Sequence, residues 1–458
     1  INMAEYIPPW STPYVIGIAG LSGSGKTTVA QEIISSINEP WTVLLSLDNF
    51  YQPLTKEQSL AAFDNNHDFD HPSSVDLDLV VECVRSLKSG KRTDIPVYSF
   101  VKHDREPDQK ITIYGANVII IEGIFALFKP ELLELMDCKI YVDTDLDICY
   151  SRRLLRDIVH RGRSIKGVIS QWDRFVKPNA ISYVIPTRNN ADMVIPRGTD
   201  NRIAMELLIA HLRKQLELKS EAHVKHLKSL GAGNTDWGKV HVLNETNQLK
   251  CLKTMIIDTN TTYDDFIFSF DRVASMLILE ALNYVEYQYD KTITTPVGTV
   301  LENCTYAKQE TNAVSIIRSG DCFTSALRKT TPAAKIGKLL IQTDSRTGEP
   351  KLHTEKLQSF DTNENVLLFD AQSISGGAAI MAIKVLLDHN VSQDKIILVN
   401  FTASETALTR ILHAFPHIKV VTAIIGHKGN STHNLPGDSD DEWWMSTRFI
   451  DNKYYGTS

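Results

Sequence analysis

Cysteine is scarce and never paired in a motif. Six residues (Cys83, Cys138, Cys149, Cys251, Cys304, Cys322) lie scattered over 458 positions with no Cys-x-x-Cys among them. That spacing excludes a zinc ligand set and a disulfide framework, and it reads as reduced intracellular thiols. Positive charge is also short: a formal net charge of −7 argues against a nucleic-acid-binding chain, which carries a basic excess. Long apolar runs are missing as well. The longest, Val118 to Phe128, is broken by Glu122 and is too short to span a bilayer. No signal-peptide pattern is visible, and Ile1-Asn2 ahead of Met3 are set aside from fold reasoning. What remains has ordinary globular composition, 43% hydrophobic and 22% charged, in a chain too long for one core. The expectation is a cytosolic enzyme of two or three domains, with neither nucleic acid nor membrane as a partner.

The most informative stretch is Gly20-Leu21-Ser22-Gly23-Ser24-Gly25-Lys26-Thr27-Thr28. It follows an apolar β-rich run, Tyr14 to Ala19, and precedes a helical pattern, Val29 to Ile37. This is G-x-x-x-x-G-K-[ST] in the strand–loop–helix setting that the motif requires. A glycine-rich turn lets consecutive N–H groups point into one concavity at a helix N-terminus, which suits a phosphate chain. Lys26 would reach the β- and γ-phosphates, and the Thr27 hydroxyl would meet Mg²⁺. The chemistry expected is that of a nucleoside triphosphate.

Further strands follow. Trp41 to Leu47 is mostly apolar and runs into Asp48-Asn49-Phe50-Tyr51. A carboxylate at the carboxyl end of a parallel strand lies where α/β folds bind ligands, so Asp48 could take a proton from a substrate hydroxyl, or could simply cap a turn. In His67-Asp68-Phe69-Asp70-His71-Pro72 the proline biases His71 toward extended backbone, which predicts a loop of fixed direction with no standard metal spacing. Ile95 to Asp104 reads as a short hairpin whose Tyr98 and Phe100 could stack on a base or fill a core. Val118-Ile119-Ile120-Ile121-Glu122 is an apolar strand ending in an acid, which would place Glu122 in the Mg²⁺ shell. The arginine-dense run Ser151 to Arg163 fits a lid over phosphate charge, with a solvated helix face as the alternative. Lys139–Val142 and Asp192–Pro196 read as strands, and Ile203 to Leu216 as a closing amphipathic helix.

Taken together and in order, several of these motifs resemble the uridine–cytidine kinases. The resemblance covers residues 13–216. It rests on Gly20–Thr28, Leu-Asp-Asn-Phe-Tyr (47–51), Phe-Asp-His-Pro (69–72), Val-Tyr-Ser-Phe-Val-Lys-His (97–103), Arg-Gly-Arg (161–163) and Phe-Val-Lys-Pro (175–178). The resemblance implies ATP or GTP with Mg²⁺, uridine and cytidine as substrates, and UMP and CMP as products. It implies that Asp48 is the base and Lys26 its catalytic partner, and that Gly20, Ser22, Gly23, Ser24, Gly25, Thr27, Thr28, Arg161 and Arg163 bind ATP. Asp70 would hold the ribose hydroxyls. Tyr98, Phe100 and His103 would recognise the pyrimidine, Arg153, Arg156 and Gln171 would contact substrate, and Thr27 and Glu122 would hold Mg²⁺. Ser99, where the family usually has Asp, departs from the pattern without touching a named role. A homo-oligomer, dimer or tetramer, in the cytoplasm or also the nucleus, completes the expectation.

The segment 217–248 is polar and reads as a helix end plus linker. Beyond it, an amphipathic helix is expected from Tyr263 to Tyr287, and strands at Ala313–Ile317, Gly337–Gln342, Val366–Asp370, Lys395–Asn400 and Lys419–Ile425 predict a second parallel α/β domain, 249–458. The stretch Asp370 to Ala378, a strand end followed by Ser-Gly-Gly and a helix, could cradle a ribose 5-phosphate. This half resembles the uracil phosphoribosyltransferases through Thr-Thr-Pro-Val-Gly (294–298), Ile-Ile-Arg-Ser-Gly (316–320), Ile-Gly-Lys-Leu-Leu-Ile-Gln (336–342), Pro436-Gly437 and Tyr-Gly-Thr (455–457). It departs from them at the chemistry: Ala371, Ala378, Thr343 (an arginine in that family), Ser404, Thr406, the interruption 438–448 and Asn452-Lys453. Threonine cannot imitate a bidentate guanidinium clamp, so this half is expected to keep the fold with little transferase activity. The expected whole is a P-loop kinase domain followed by a phosphoribosyltransferase-like α/β domain. A bifunctional enzyme and a GTPase-like switch are the rival readings, the latter disfavoured by the lack of an Asn-Lys-x-Asp motif.

Overall fold

A strand buried on both faces needs apolar residues at every position, and Val118–Glu122 supplies them. In the computed structural model this is β5 of a five-stranded, all-parallel sheet. The sheet comprises β1 (Tyr14–Gly20), β2 (Thr42–Ser46), β5, β6 (Cys138–Asp143) and β7 (Met193–Pro196), in the order β2-β5-β1-β6-β7. The structure describes residues 5–63, 66–99, 102, 104–159, 162–232, 236–307, 311–361, 363–426 and 448–457. The chain divides into two compact units, Pro8–Lys219 and Ile1–Ile7 with Ser220–Ser458.

Alternation along each strand of the first unit feeds two separate cores. Ile16, Ile18, Val118 and Ile120 pack with Val29 and Ile33 of α1 (Lys26–Ile37). Val15, Ala19, Ile119 and Ile121 face the opposite cluster, with Val80, Val84 and Leu87 of a second helix, Leu77–Lys88. Asp76 caps that helix by accepting the Leu79 N–H at 3.1 Å. The expected hairpin is present as β3 (Thr93–Ser99) and β4 (Asp104–Ile113), an antiparallel pair outside the main sheet. The effect of the topology is positional: the carboxyl ends of β1, β2 and β5 open on one side, where Gly20, Ser46 and Glu122 lie.

The helix expected to end at Leu216 continues, spanning Arg202–Ser229. Residues 217–229 contain no glycine or proline, and Ser220, His223 and Leu227 are buried, so the polarity that suggested a linker belongs to one exposed face. Next among the named elements come β8 (Val240–Val242) and a helix Asn247–Ile257.

The second unit is built on a mostly parallel sheet with the order β13-β12-β11-β14-β16-β17-β8. Its strands are β11 (Thr311–Ile317), β12 (Ile336–Thr343), β13 (Pro350–Lys356), β14 (Asn365–Phe369), β16 (Ile396–Ser404) and β17 (Lys419–Gly426). A two-residue strand, β15 (Gln372–Ser373), pairs with β16. Every expected strand is found. The helix expected over Tyr263 to Tyr287 is shorter, Tyr263–Leu282, because Tyr287 opens a hairpin of β9 (Tyr287–Thr294) and β10 (Val300–Ala307). The antiparallel edge strand β13 also lies outside the expectation. The hairpin is largely exposed and β13 is buried only at Pro350 and Leu352, which deprives both of the buried-strand signal. No described helix is long and apolar enough to cross a membrane.

Candidate active site

The phosphate loop is shaped by two left-handed glycines, Gly23 (φ 87°) and Gly25 (φ 92°), the latter serving as N-cap of α1. A Cβ on Gly23 would stand 2.5 Å from the Cys149 carbonyl oxygen, so only glycine fits. Thr144 Oγ1 donates to the Ser24 carbonyl at 3.0 Å and fixes the loop from β6. The first N–H groups of α1, those of Lys26, Thr27 and Thr28, have no partner inside the helix and are available to an anion.

Across from the loop, Glu122 is buried at the end of β5. Thr27 Oγ1 donates to its Oε2 at 3.1 Å and Ser46 Oγ to its Oε1 at 2.8 Å. Hydroxyl and carboxylate oxygens in this arrangement suit a hard divalent cation, and Mg²⁺ takes only one or two carboxylates beside phosphate oxygens. Among the described residues no three His, Cys, Asp or Glu side chains converge into a fuller cage.

One cleft of about 710 Å³, counting the solvent at its mouth, gathers nine of the expected residues. Ser22, Lys26, Asp48, Asp70, Tyr98, Arg153, Arg156, Arg163 and Gln171 all line it. Asp48 sits exposed in a short 3-10 turn, Leu47–Phe50, at the end of β2. Asp70 belongs to a loop held by its own polar side chains. Ser74 Oγ donates to the Phe69 carbonyl, His71 is extended at φ −85°, and Asp70 N–H donates to Asp68 Oδ1 at 3.0 Å. Asn179 Nδ2 in turn donates to Asp68 at 2.8 Å.

Arg153 connects the two ends of the cleft. Its Nη1 lies 3.0 Å from Ser22 Oγ and 3.4 Å from Asp70 Oδ1. Burial works against its charge, but Asp70 and Asp157 outweigh burial and hold the guanidinium protonated above its ordinary range. Ser22, expected on the nucleotide, accepts this Arg153 hydrogen bond within the cleft. Arg163, expected on the triphosphate, donates to Gln171 Oε1 at 3.0 Å within the same cleft. Thr28 is exposed on the first turn of α1. Phe100, His103 and Arg161 lie outside the described residues.

Four aromatics stand together on one wall of the cleft. Tyr98 stands 5.2 Å from Tyr51, which is 5.7 Å from Phe69, and Phe175 completes the wall. Burial, followed by Asp104, pushes the Tyr98 phenol up to about 12, so it remains protonated at neutral pH. Burial, and then Asp48 and Asp70, likewise raise Tyr51 well above its ordinary value. Arg105 ties the hairpin to this wall through the carbonyls of Tyr51 (2.9 Å) and Phe50 (3.3 Å). Tyr51, Phe69, His67, Phe175 and Asp157 went without a role in the sequence reading. Tyr51 and Phe69 flank candidate acids in sequence and could have been found by that adjacency.

Comparison with known proteins adds to this geometry. A family model described as "Phosphoribulokinase / Uridine kinase family" matches residues 15–204, and one described as "Uracil phosphoribosyltransferase" matches residues 242–440. A "Uridine kinase" of Saccharomyces cerevisiae is 50% identical over 99% of this chain and 90% of its own length. The mouse "Uridine-cytidine kinase-like 1" is 40% identical over 98% of this chain and 82% of its own. The Dictyostelium discoideum "Uridine-cytidine kinase A" is 39% identical over 98% and 88%.

Proposed function

This chain belongs to the uridine kinase family, and from that premise we propose that it transfers the γ-phosphoryl group of ATP to the 5′-hydroxyl of uridine, and of cytidine, giving UMP and CMP. The observation that carries the reading is a single cleft lined by both the phosphate-loop residues Ser22 and Lys26 and the nucleoside-side residues Asp48, Asp70 and Tyr98.

In this reading Asp48 accepts the proton of the 5′-hydroxyl as it attacks the γ-phosphorus. Asp70 accepts hydrogen bonds from the ribose hydroxyls, and the aromatic wall stacks on the pyrimidine. Lys26 and the cleft arginines neutralise the charge that spreads over the transferring oxygens. Thr27 and Glu122 hold Mg²⁺, which when bound supplies charge neutralisation on the β- and γ-phosphates. GTP is an alternative donor, and a homo-oligomer in the cytoplasm completes the reading.

For the second domain, 249–458, joined by 217–248 to a kinase domain of 13–216, we propose a retained fold with little transferase activity. Asp370, the acid left in the ribose-phosphate stretch, is buried and takes hydrogen bonds from Ser319 (2.7 Å) and Ser373 (3.1 Å). Ala371 beside it is buried, its side chain offers no polar group and its N–H donates to Ser319 Oγ at 2.7 Å, and Thr343 is exposed at the end of β12. The test of the kinase reading is formation of UMP from uridine and ATP–Mg²⁺ by the full chain. UMP is the expected product, and its absence overturns the reading.

A further inference from the structure

Asp157 is fully buried in the last turn of the helix Leu146–Val159. Three guanidiniums converge on its carboxylate. Arg153 Nε lies 3.6 Å from Oδ2, Arg156 Nε 2.9 Å from Oδ1, and Arg163 Nη1 3.5 Å from Oδ2. The Arg163 N–H also donates to the Asp157 carbonyl at 3.0 Å, so the backbone beyond the helix is pinned to the same residue. A carboxylate taken wholly out of water must be paired. Arg156 Nε supplies a hydrogen bond, while Arg153 and Arg163 face the same carboxylate as ion pairs, and all three arginines line the cleft.

The far ends of these arginines show what the grip achieves. Arg153 reaches Ser22 in the phosphate loop and Asp70 in the ribose loop. Arg163 reaches Gln171. Arg156 is held through Nε, which leaves its terminal Nη pair for an incoming anionic oxygen. Left without a common anchor, three long cationic side chains repel one another and spread over many rotamers.

We propose that Asp157 is a positioning residue, which fixes three cleft arginines at the spacing that phosphoryl transfer requires without itself touching substrate. The proposal rests on the kinase reading above. It separates placement from attraction. Removing one negative charge from beneath three arginines makes the cleft more positive, so ATP should bind at least as tightly, while misplaced guanidiniums stabilise the transition state less.

The test is Asp157→Asn in the full chain, which keeps the volume and removes the charge. UMP formation gives kcat, titration with ATP in the absence of nucleoside gives Kd, and a thermal melt reports folding. The expected result is a kcat lower by roughly 10–100-fold with ATP affinity unchanged or tighter. A kcat within about twofold of the native value overturns the proposal. So does a parallel loss of kcat, ATP binding and melting transition, which marks a residue that only holds the helix together. Should the asparagine chain not fold, Asp157→Glu keeps the charge and shifts it by one methylene. Reduced kcat at undiminished ATP affinity is then expected, and a native kcat overturns the proposal. A native chain silent toward uridine would instead overturn the kinase reading, and is distinguished because the loss precedes any substitution.

Discussion

The Thr27 hydroxyl donates to Glu122 Oε2 at 3.1 Å, joining the first turn of α1 to the end of β5 across 95 residues of sequence. Ser46, at the end of β2, holds the other carboxylate oxygen at 2.8 Å. Two hydroxyls therefore orient one buried carboxylate toward the phosphate loop. Glu122→Gln keeps the shape and removes the charge. It is expected to raise the Mg²⁺ concentration giving half-maximal turnover by about 10–100-fold, the usual scale for groups that tune a metal site. A titration of activity against Mg²⁺ checks this, and an unshifted curve removes Glu122 from the metal's surroundings.

Asp48 stands exposed in the turn after β2 and lines the same cleft as Arg153 and Arg163. Asp48→Ala should lower kcat by roughly 10²–10⁴ with the protein still folded and ATP still bound. Rapid-quench measurement of UMP formation decides the matter. Near-native turnover would reject the base assignment.

The contrast between these residues and Asp157 shows where sequence suffices. The phosphate loop is legible because its glycines and Lys26 must stand at fixed spacing, and Glu122 because it ends an uninterrupted apolar strand. The strands of both units are legible for the same reason: the cores of two expected strands, Val366–Phe369 and Ile396–Val399, are buried throughout and apolar at every position. Asp157 could not be read this way. In sequence it is one acid in an arginine-rich helix, which is the pattern of a solvated face. Only its burial and the return of Arg163 from beyond the helix reveal a hub. The aromatic wall was hidden for a similar reason, since Tyr51, Phe69 and Phe175 come together from three separate loops and helices. The exposed hairpin β9–β10 and the polar continuation of the helix Arg202–Ser229 lacked the hydrophobic contrast on which periodicity depends.

Asp70 accepts from Arg153 on one side and lines the nucleoside end of the cleft on the other. If it holds the ribose hydroxyls, Asp70→Ala should cost more with uridine than with 2′-deoxyuridine. A hydrogen bond to a charged group is worth about 1.5–3 kcal/mol, so the preference in kcat/KM should shrink by roughly tenfold or more. Equal losses on both nucleosides would show that Asp70 serves only to hold Arg153.

The second unit yields a prediction of silence. Arg318, from the Ile-Ile-Arg-Ser-Gly stretch, is engaged by Asp451 at 3.1 Å and Thr457 at 3.0 Å, as well as by Asn452, so its charge is already spent inside the chain. Lys453 likewise donates to the Asp258 carbonyl at 2.8 Å. The full chain, given labelled uracil and phosphoribosyl pyrophosphate, should form no UMP above background. Conversion at a rate comparable to uridine phosphorylation would make the protein bifunctional.

Within that unit a buried polar chain runs from Tyr6 through His223 and Glu349 to Ser220. Tyr6 Oη lies 2.9 Å from His223 Nε2, His223 Nδ1 lies 2.8 Å from Glu349 Oε1, and Ser220 donates to the remaining carboxylate oxygen. A ring protonated on Nδ1 satisfies both contacts, with the tyrosine as donor. Burial alone would raise the Glu349 pKa, but the hydrogen bonds from His223 and Ser220 outweigh it and hold the carboxyl below the ordinary value of 4.5. A depressed carboxyl contributes stability that is complete above the unfolded value and fades as pH falls through the folded one. Glu349→Ala should therefore destabilise the protein by roughly 1–3 kcal/mol near neutrality, the range for leaving buried hydrogen-bond donors unsatisfied. The gap between native and variant should narrow below about pH 4.5, as the native carboxyl takes up its proton. Thermal melts of both chains between neutral and acid pH measure that gap. A difference constant across the whole range would mean that the carboxylate's charge contributes nothing and that only the packing of the side chain matters.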